Sequence, residues 1–197
     1  MSLYTACRAA LIPLTRLAFG ARVRGVERVP ATGALVVAAN HRSYLDPPLL
    51  GTWFPRVIHF MAKRELFEIP ILGRLLGRVN AFPVERDRAD LKSVRRALRL
   101  LKKGEVVGIF PEGRRNSDGA ARARGGAVLI AATAGCPLLP VAIVNSDEAL
   151  RRLRHSAVEI RIGEPMTFQG RERKLTKGEL RDWTEQVAGA ISALGAK

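Results

Sequence analysis

The stretch Asn40-His41-Arg42-Ser43-Tyr44-Leu45-Asp46-Pro47-Pro48 places an imidazole and a carboxylate five positions apart. Imidazole titrates near neutrality, so His41 is suited to take a proton from a hydroxyl. A carboxylate on the far ring nitrogen would fix the tautomer and stabilise the imidazolium that forms, and Asp46 is spaced to be that group. No serine or cysteine nucleophile is needed if the hydroxyl belongs to the substrate. The same residues also read as a helix start, with Asp46 as N-cap and Pro47 at the first helical position. On that reading His41 is a loop histidine with no chemistry.

The surrounding elements bear on the choice. The apolar run Ala34–Ala39 reads as a buried strand, so His41 falls just past a strand end. The pattern recurs: Arg56–Ala62 delivers Lys63, Val79–Val84 is followed by Arg86, and Glu105–Phe110 leads into Pro111-Glu112-Gly113. In open α/β sheets ligands bind at the carboxyl ends of the strands, which argues that His41, Lys63, Arg86 and Glu112 converge. His59 lies mid-strand and reads as a packed core histidine.

Helical patterns alternate with these strands. Leu3–Phe19 and Pro47–Phe54 are apolar, and Glu65–Leu76 is a short helical region broken at Gly73 and Gly77. Asp87–Lys103 is the clearest helix, with Leu91, Val94, Leu98 and Leu101 at helical spacing and a basic outer face. Ala127–Ala134 and Lys177–Leu194 complete the set. Further strands are expected at Ala21–Val29 (half exposed), at Leu138–Val144, and at Val158–Ile162 on an edge. The expected fold is α/β: a single domain with a mixed, mostly parallel sheet covered by helices.

The chain has 197 residues, 47% hydrophobic, which excludes a disordered tail protein. Its formal net charge of +15 calls for anionic partners: nucleic acid, an anionic membrane surface or a phosphorylated substrate. Cys7 and Cys136 suit a reducing compartment, and neither they nor His41, His59 and His155 form a metal-ligand spacing, so no metal is expected. No signal-peptide pattern is seen. Arg8 and Arg16 make it costly for Leu3–Phe19 to span a bilayer. Residues 1–20 read instead as an amphipathic helix at a membrane interface or as an ordinary helix packed on the core. The charge-free stretch Gly125–Ser146 is split by Gly135, Pro137 and Pro140.

Four segments in order resemble the motifs of glycerolipid acyltransferases of the lysophosphatidic acid acyltransferase type. Asn40-His41 through Asp46 is similar to Asn-His-x4-Asp. Asn80-Ala-Phe-Pro-Val-Glu-Arg86 resembles the second block, which carries an arginine, and Ala62-Lys63 with Glu65-Leu66 resembles the segment before it. Phe110-Pro111-Glu112-Gly113-Arg114-Arg115-Asn116 resembles Phe-Pro-Glu-Gly-Thr-Arg-Ser, with Arg114 and Asn116 in place of Thr and Ser. Cys136-Pro137-Leu138-Leu139-Pro140-Val141 is similar to the fourth.

The resemblance implies that residues 21–197 are an acyltransferase domain. It would move a fatty acyl group from acyl-CoA or acyl carrier protein to lysophosphatidic acid, without cofactor, metal or nucleic acid. His41 would then be the general base and Asp46 its orienting acid. Glu112 would grip a glycerol hydroxyl, and Gly113 would let backbone approach the substrate, with an oxyanion-stabilising N–H nearby. Arg86, Arg115 and Lys63 would hold the acceptor phosphate. The expected partners are an anionic membrane surface, the lysophospholipid and the thioester donor, at the cytoplasmic face of a membrane. Glycerol 3-phosphate or another lysolipid is the alternative acceptor. A basic nucleic-acid-binding domain or a non-catalytic membrane-binding relative are readings of other classes, and both leave the His–Asp pair without a purpose.

Overall fold

The computed structural model describes residues 3–85, 90–113, 123–149, 157–168 and 175–196. Seven strands form one sheet: β1 (Arg22–Arg24), β2 (Leu35–Ala39), β3 (Ile58–Lys63), β4 (Phe82–Val84), β5 (Val106–Ile109), β6 (Leu138–Val144) and β7 (Glu159–Ile162). Their order is β1-β7-β6-β2-β5-β3-β4. β6, β2, β5, β3 and β4 run parallel, whereas β7 is antiparallel to β6 and carries β1 in parallel at the far edge.

β2 is central and buried along its whole length. Because side chains alternate across a strand, Leu35, Val37 and Ala39 enter one core and Val36 and Ala38 the other. The first core is closed by Leu49 and Leu50 of α2 (Asp46–Trp53), on which α1 (Leu3–Phe19) lies, and by Phe54 just after α2. The second is closed by Ala97 and Leu101 of α4 (Leu91–Lys102), Val128 and Ile130 of α5 (Gly126–Ala134), and Val187 and Ile191 of α6 (Lys177–Ala193). A short 3-10 turn (Arg64–Phe67) and α3 (Pro70–Arg78) connect β3 to β4.

α1 packs through polar groups. Tyr4 donates its hydroxyl hydrogen to Gly51 O at 2.8 Å, Arg8 Nε to Thr52 O at 2.9 Å, and Trp53 Nε1 donates to Thr15 Oγ1 at 3.1 Å. Its outward Leu14 and Leu17 are 59% and 66% exposed. Thus α1 both packs on the core and presents an apolar face to solvent. Among the described residues no helix is long and apolar enough to cross a membrane.

Three expected elements differ. Ala21–Val29 is not one strand: β1 ends at Arg24, Gly25 adopts φ +80°, and a 3-10 turn follows at Val26–Arg28. α3 runs through both Gly73 and Gly77; at Gly73 a Cβ would sit 2.2 Å from Phe67 O, so the glycine lets the helix close onto the preceding turn. β7 is interior: its Glu159 pairs with Arg161 of the same strand and with Arg22 and Arg24 of β1. Helix α4 begins at Leu91, capped by Asp90, whose carboxylate accepts from Lys92 N and Ser93 N at 3.0 Å. The preceding 86–89 lie outside the described residues. His59 is half-buried, its Nε2 3.6 Å from Glu105.

Candidate active site

The parallel strands bring their carboxyl ends to one edge, and the site is assembled there. Asn40 ends β2 by replacing a strand pairing with its side chain: Nδ2 donates to Ile143 O at 3.0 Å, and Ile143 N donates to Oδ1 at 2.7 Å. This fixes where the chain leaves the sheet, and His41 follows. The next turn is closed by a carboxylate. Asp46 Oδ2 accepts Arg42 N and Ser43 N, each at 2.7 Å, and lies 2.9 Å from His41 Nδ1. Asp46 is therefore not the N-cap, which is Leu45; it sits in the first turn of α2 and reaches back over the loop.

Asp46 is fully buried and His41 is 7% exposed. A carboxylate accepting three N–H groups on one oxygen is acceptor-only, so Nδ1 carries the ring proton and Nε2 keeps its lone pair. Asp46 Oδ1 is buried with no hydrogen-bond partner among the described residues. The imidazole stacks on Phe110 at 4.3 Å between centroids, and Phe110 stacks on Phe60 at 6.0 Å. Gly108 makes room for that stack. It pairs with Phe60 across β5 and β3, and a Cβ there would lie 2.7 Å from the Phe60 ring. An apolar aromatic wall thus backs the dyad.

Glu112 is next to His41, as strand-end placement predicts, and its Oε2 accepts the His41 backbone N–H at 3.2 Å. The carboxylate ties the loop after β5 to the loop after β2. Gly113 adopts φ +69°, which favours glycine, and its N–H donates to Phe110 O at 3.0 Å. The amides of His41, Arg42, Ser43 and Gly113 are therefore committed, and none is available to an oxyanion in this arrangement. Lys63 ends β3 and pairs with Glu65 at 2.8 Å. Arg86 and Arg115, with Arg114 and Asn116, lie outside the described residues.

A cavity of about 1120 Å³ opens at the dyad, just above the roughly 300–1,000 Å³ usual for ligand sites. His41, Gly113 and Lys63 line it, so three of the expected site residues share one space. Phe60, Met61, Leu72, Leu76 and Val79 form an apolar wall, and Tyr4, Cys7 and Leu11 of α1 form another. Burial pushes the Tyr4 hydroxyl above the ordinary tyrosine range. Two further cations line the cavity that sequence reasoning did not nominate, Arg8 and Arg124. Arg124 N donates to Pro111 O at 2.8 Å, and its guanidinium atoms come within 3.6–3.7 Å of where a Gly113 Cβ would be. The glycine thus admits a cation beside the dyad. The signal was faint: one arginine before Gly125-Gly126, at the entrance to an apolar helix.

Such a site can deprotonate a hydroxyl, hold an anion and bury a long apolar chain. Among the described residues no group of His, Cys, Asp and Glu could hold a metal ion.

Comparison with known proteins agrees with this chemistry. The family described as Acyltransferase matches residues 20–144. A 1-acyl-sn-glycerol-3-phosphate acyltransferase of Bacillus subtilis is 34% identical over 196 residues, 99% of this chain and 98% of that protein. A chloroplastic enzyme of the same description from Arabidopsis thaliana is 29% identical over 153 residues, 73% of this chain but 43% of that protein. The crystal structure of the 1-acyl-sn-glycerophosphate acyltransferase of Thermotoga maritima superposes with a TM-score of 0.73 at 26% identity, covering 98% of this chain and 78% of that one.

Proposed function

This chain belongs to the PlsC-type family of glycerolipid acyltransferases, and we propose that its acceptor is lysophosphatidic acid and its product phosphatidic acid. The observation that carries the reading is the His41–Asp46 pair, 2.9 Å apart, opening onto a cavity with apolar walls and cationic side chains.

In the reaction, His41 Nε2 takes the proton of the glycerol hydroxyl as its oxygen attacks the thioester carbonyl. The imidazolium, stabilised by Asp46, returns that proton to the departing thiolate as the tetrahedral intermediate collapses. General-base assistance of this kind contributes on the order of 10²–10⁴ in rate. Glu112 orients the glycerol hydroxyls, and Gly113 lets the backbone approach them. Lys63 and Arg124 hold the acceptor phosphate, joined by Arg86 and Arg115. The fatty chains occupy the apolar walls. The donor is an acyl thioester on coenzyme A or on acyl carrier protein.

Residues 1–20 serve as the membrane-contacting helix and residues 21–197 as the catalytic domain. Exposed Leu14 and Leu17 and the net charge of +15 support peripheral attachment to an anionic membrane, each nearby Lys or Arg adding about 1 kcal/mol. Cys7 and Cys136, neither of them in a disulfide among the described residues, fit its cytoplasmic face.

The test is acyl transfer by purified protein to lysophosphatidate, glycerol 3-phosphate and a lysolipid without a terminal phosphate monoester. Preference for lysophosphatidate, lost in His41→Ala, is expected. Equal or better transfer to the acceptor lacking that phosphate would remove the roles given to the cations.

A further inference from the structure

Helix α3 has no buried residue, although five of its nine residues are Pro, Ile or Leu. Ile71 is 83% exposed, Leu75 46%, and Ile69 just before the helix 48%. A single exposed isoleucine needs no explanation. Three large apolar groups on one short element, beside a cavity built for lipid, do.

The inner side of the same helix is a wall of that cavity through Leu72, Leu75 and Leu76. The wall contributed by α1 behaves alike, with Tyr4, Cys7 and Leu11 turned inward and Leu14 and Leu17 outward. Tyr44, which also lines the cavity, is 72% exposed. Exposed apolar surface is thus found on both walls of the mouth. Its borders are basic: Arg74 and Arg78 stand exposed one turn apart, and neither pairs with an acid among the described residues. The nearby acids Glu65 and Glu85 are taken by Lys63 and Arg64. Among the described residues nearby, Glu68 adds the one further exposed negative charge.

We propose that α3 is a second bilayer-contacting element, lying in the interfacial region of an anionic leaflet with Ile69, Ile71 and Leu75 among the acyl chains and Arg74 and Arg78 at the phosphates. An apolar stripe bordered by arginines is the pattern of a helix that lies in the interface plane. With both walls in lipid, the cavity mouth opens into the leaflet and a lysolipid enters sideways without passing through water. The basic face of α4 (Lys92, Arg95, Arg99) lies on the opposite layer of the sheet and is not part of this surface. The proposal takes its purpose from the lipid-acceptor reading, but its observations are independent of that reading.

The test uses the full chain and vesicles of equimolar phosphatidylglycerol and phosphatidylcholine. Ile69→Asp/Ile71→Asp alters residues that do not line the cavity, and Leu129→Asp, at an exposed position of α5, is the control. The α3 variant is expected to partition into vesicles at least about tenfold more weakly, while the control binds like wild type. Transfer to vesicle-embedded lysophosphatidate should fall in parallel, and transfer to a dispersed short-chain lysophosphatidate should not. A second measurement adds one probe to the wild-type chain: Ile71→Trp should be quenched by bromine-labelled acyl chains and Leu129→Trp should not. Wild-type partitioning by the α3 variant, or equal quenching at the two positions, overturns the proposal. Quenching at position 71 in a chain that acylates neither acceptor would leave α3 standing and remove the lipid-acceptor reading.

Discussion

Replacing Asp46 by asparagine isolates the charge of the dyad from its geometry. Three N–H groups converge on Asp46 Oδ2, from His41 Nδ1 at 2.9 Å and from Arg42 and Ser43 at 2.7 Å. An asparagine can turn its carbonyl oxygen to the same three donors, so the loop and the imidazole tautomer are kept. What disappears is the negative charge facing the imidazolium formed during the reaction. Two unit charges about 4 Å apart interact by roughly 4 kcal/mol at an effective dielectric of about 20. The two backbone donors already offset part of that charge, leaving about 3–4 kcal/mol. At about 1.4 kcal/mol per decade, kcat falls roughly 10²–10³-fold. KM for both substrates should stay near wild type, because neither touches Asp46. Alanine is the poorer choice: it orphans all three donors, at about 1–3 kcal/mol each, against a total stability of about 5–15 kcal/mol. The assay is steady-state release of coenzyme A thiol, with thermal unfolding measured beside it. A loss of kcat below about threefold, with an unchanged melting temperature, would show that the dyad does not stabilise a developing imidazolium.

Three further outcomes follow from other parts of the molecule. Arg124→Ala should raise KM for a phosphorylated acceptor about tenfold, the scale of one charge-assisted contact of about 1.5 kcal/mol, with little change for an acceptor lacking the phosphate. Arg56 donates to three carbonyls at the opposite edge, Pro30 at 2.9 Å, Gly33 at 2.6 Å and Gly104 at 2.9 Å, and desolvation draws its guanidinium below the ordinary arginine value against the pull of Glu105. Arg56→Met should cost about 2–4 kcal/mol in a urea titration and leave kcat unchanged at a temperature where the variant is folded. Desolvation raises the Asp90 carboxyl, but hydrogen bonds from Ser93, Glu85 and Lys92 outweigh it and hold the group below the usual carboxylate range. Its stabilisation is therefore complete above the unfolded value of about 3.9 and disappears as pH falls through the lower folded value. Asp90→Ala should cost about 0.5–2 kcal/mol at neutral pH, with the gap from wild type closing below about pH 4.

What the sequence conceals is direction and close approach. Gly73 and Gly77 read as breakers, yet α3 runs through them, because a glycine that lets Phe67 O come within 2.2 Å of a would-be Cβ looks the same on paper as one that ends a helix. The alternation of Glu159 and Arg161 reads as a solvent-facing edge. In the fold the single Glu159 carboxylate is shared by Arg161 and by Arg22 and Arg24 of β1, and Arg161, ahead of Arg24 and Arg22, holds that carboxyl low against desolvation. Arg124 is one cation in a polar stretch, and only the left-handed turn at Gly113 reveals that it borders the cavity. The commitment of the Gly113 amide to Phe110 is likewise a matter of backbone direction, which residue type does not encode.

The convergence of His41, Lys63 and Glu112 was legible for a reason that also marks its limits. Five apolar runs joined by crossovers are parallel strands, and parallel strands share a carboxyl edge whatever their order. A residue just past any of them must therefore lie at that edge, and no contact information is needed to place it there. β1 and β7 run the other way, so the residues after Arg24 and Ile162 lie at the opposite edge, near Arg56 and its three carbonyls. There Arg28 donates to Ile162 O at 2.9 Å and Gly163 packs on Pro140, contacts that fasten the sheet. Strand-end placement locates chemistry only where the strand direction is already known. Here the alternation of buried strands with helices supplied that direction for the part of the chain that carries the site, and for no other part.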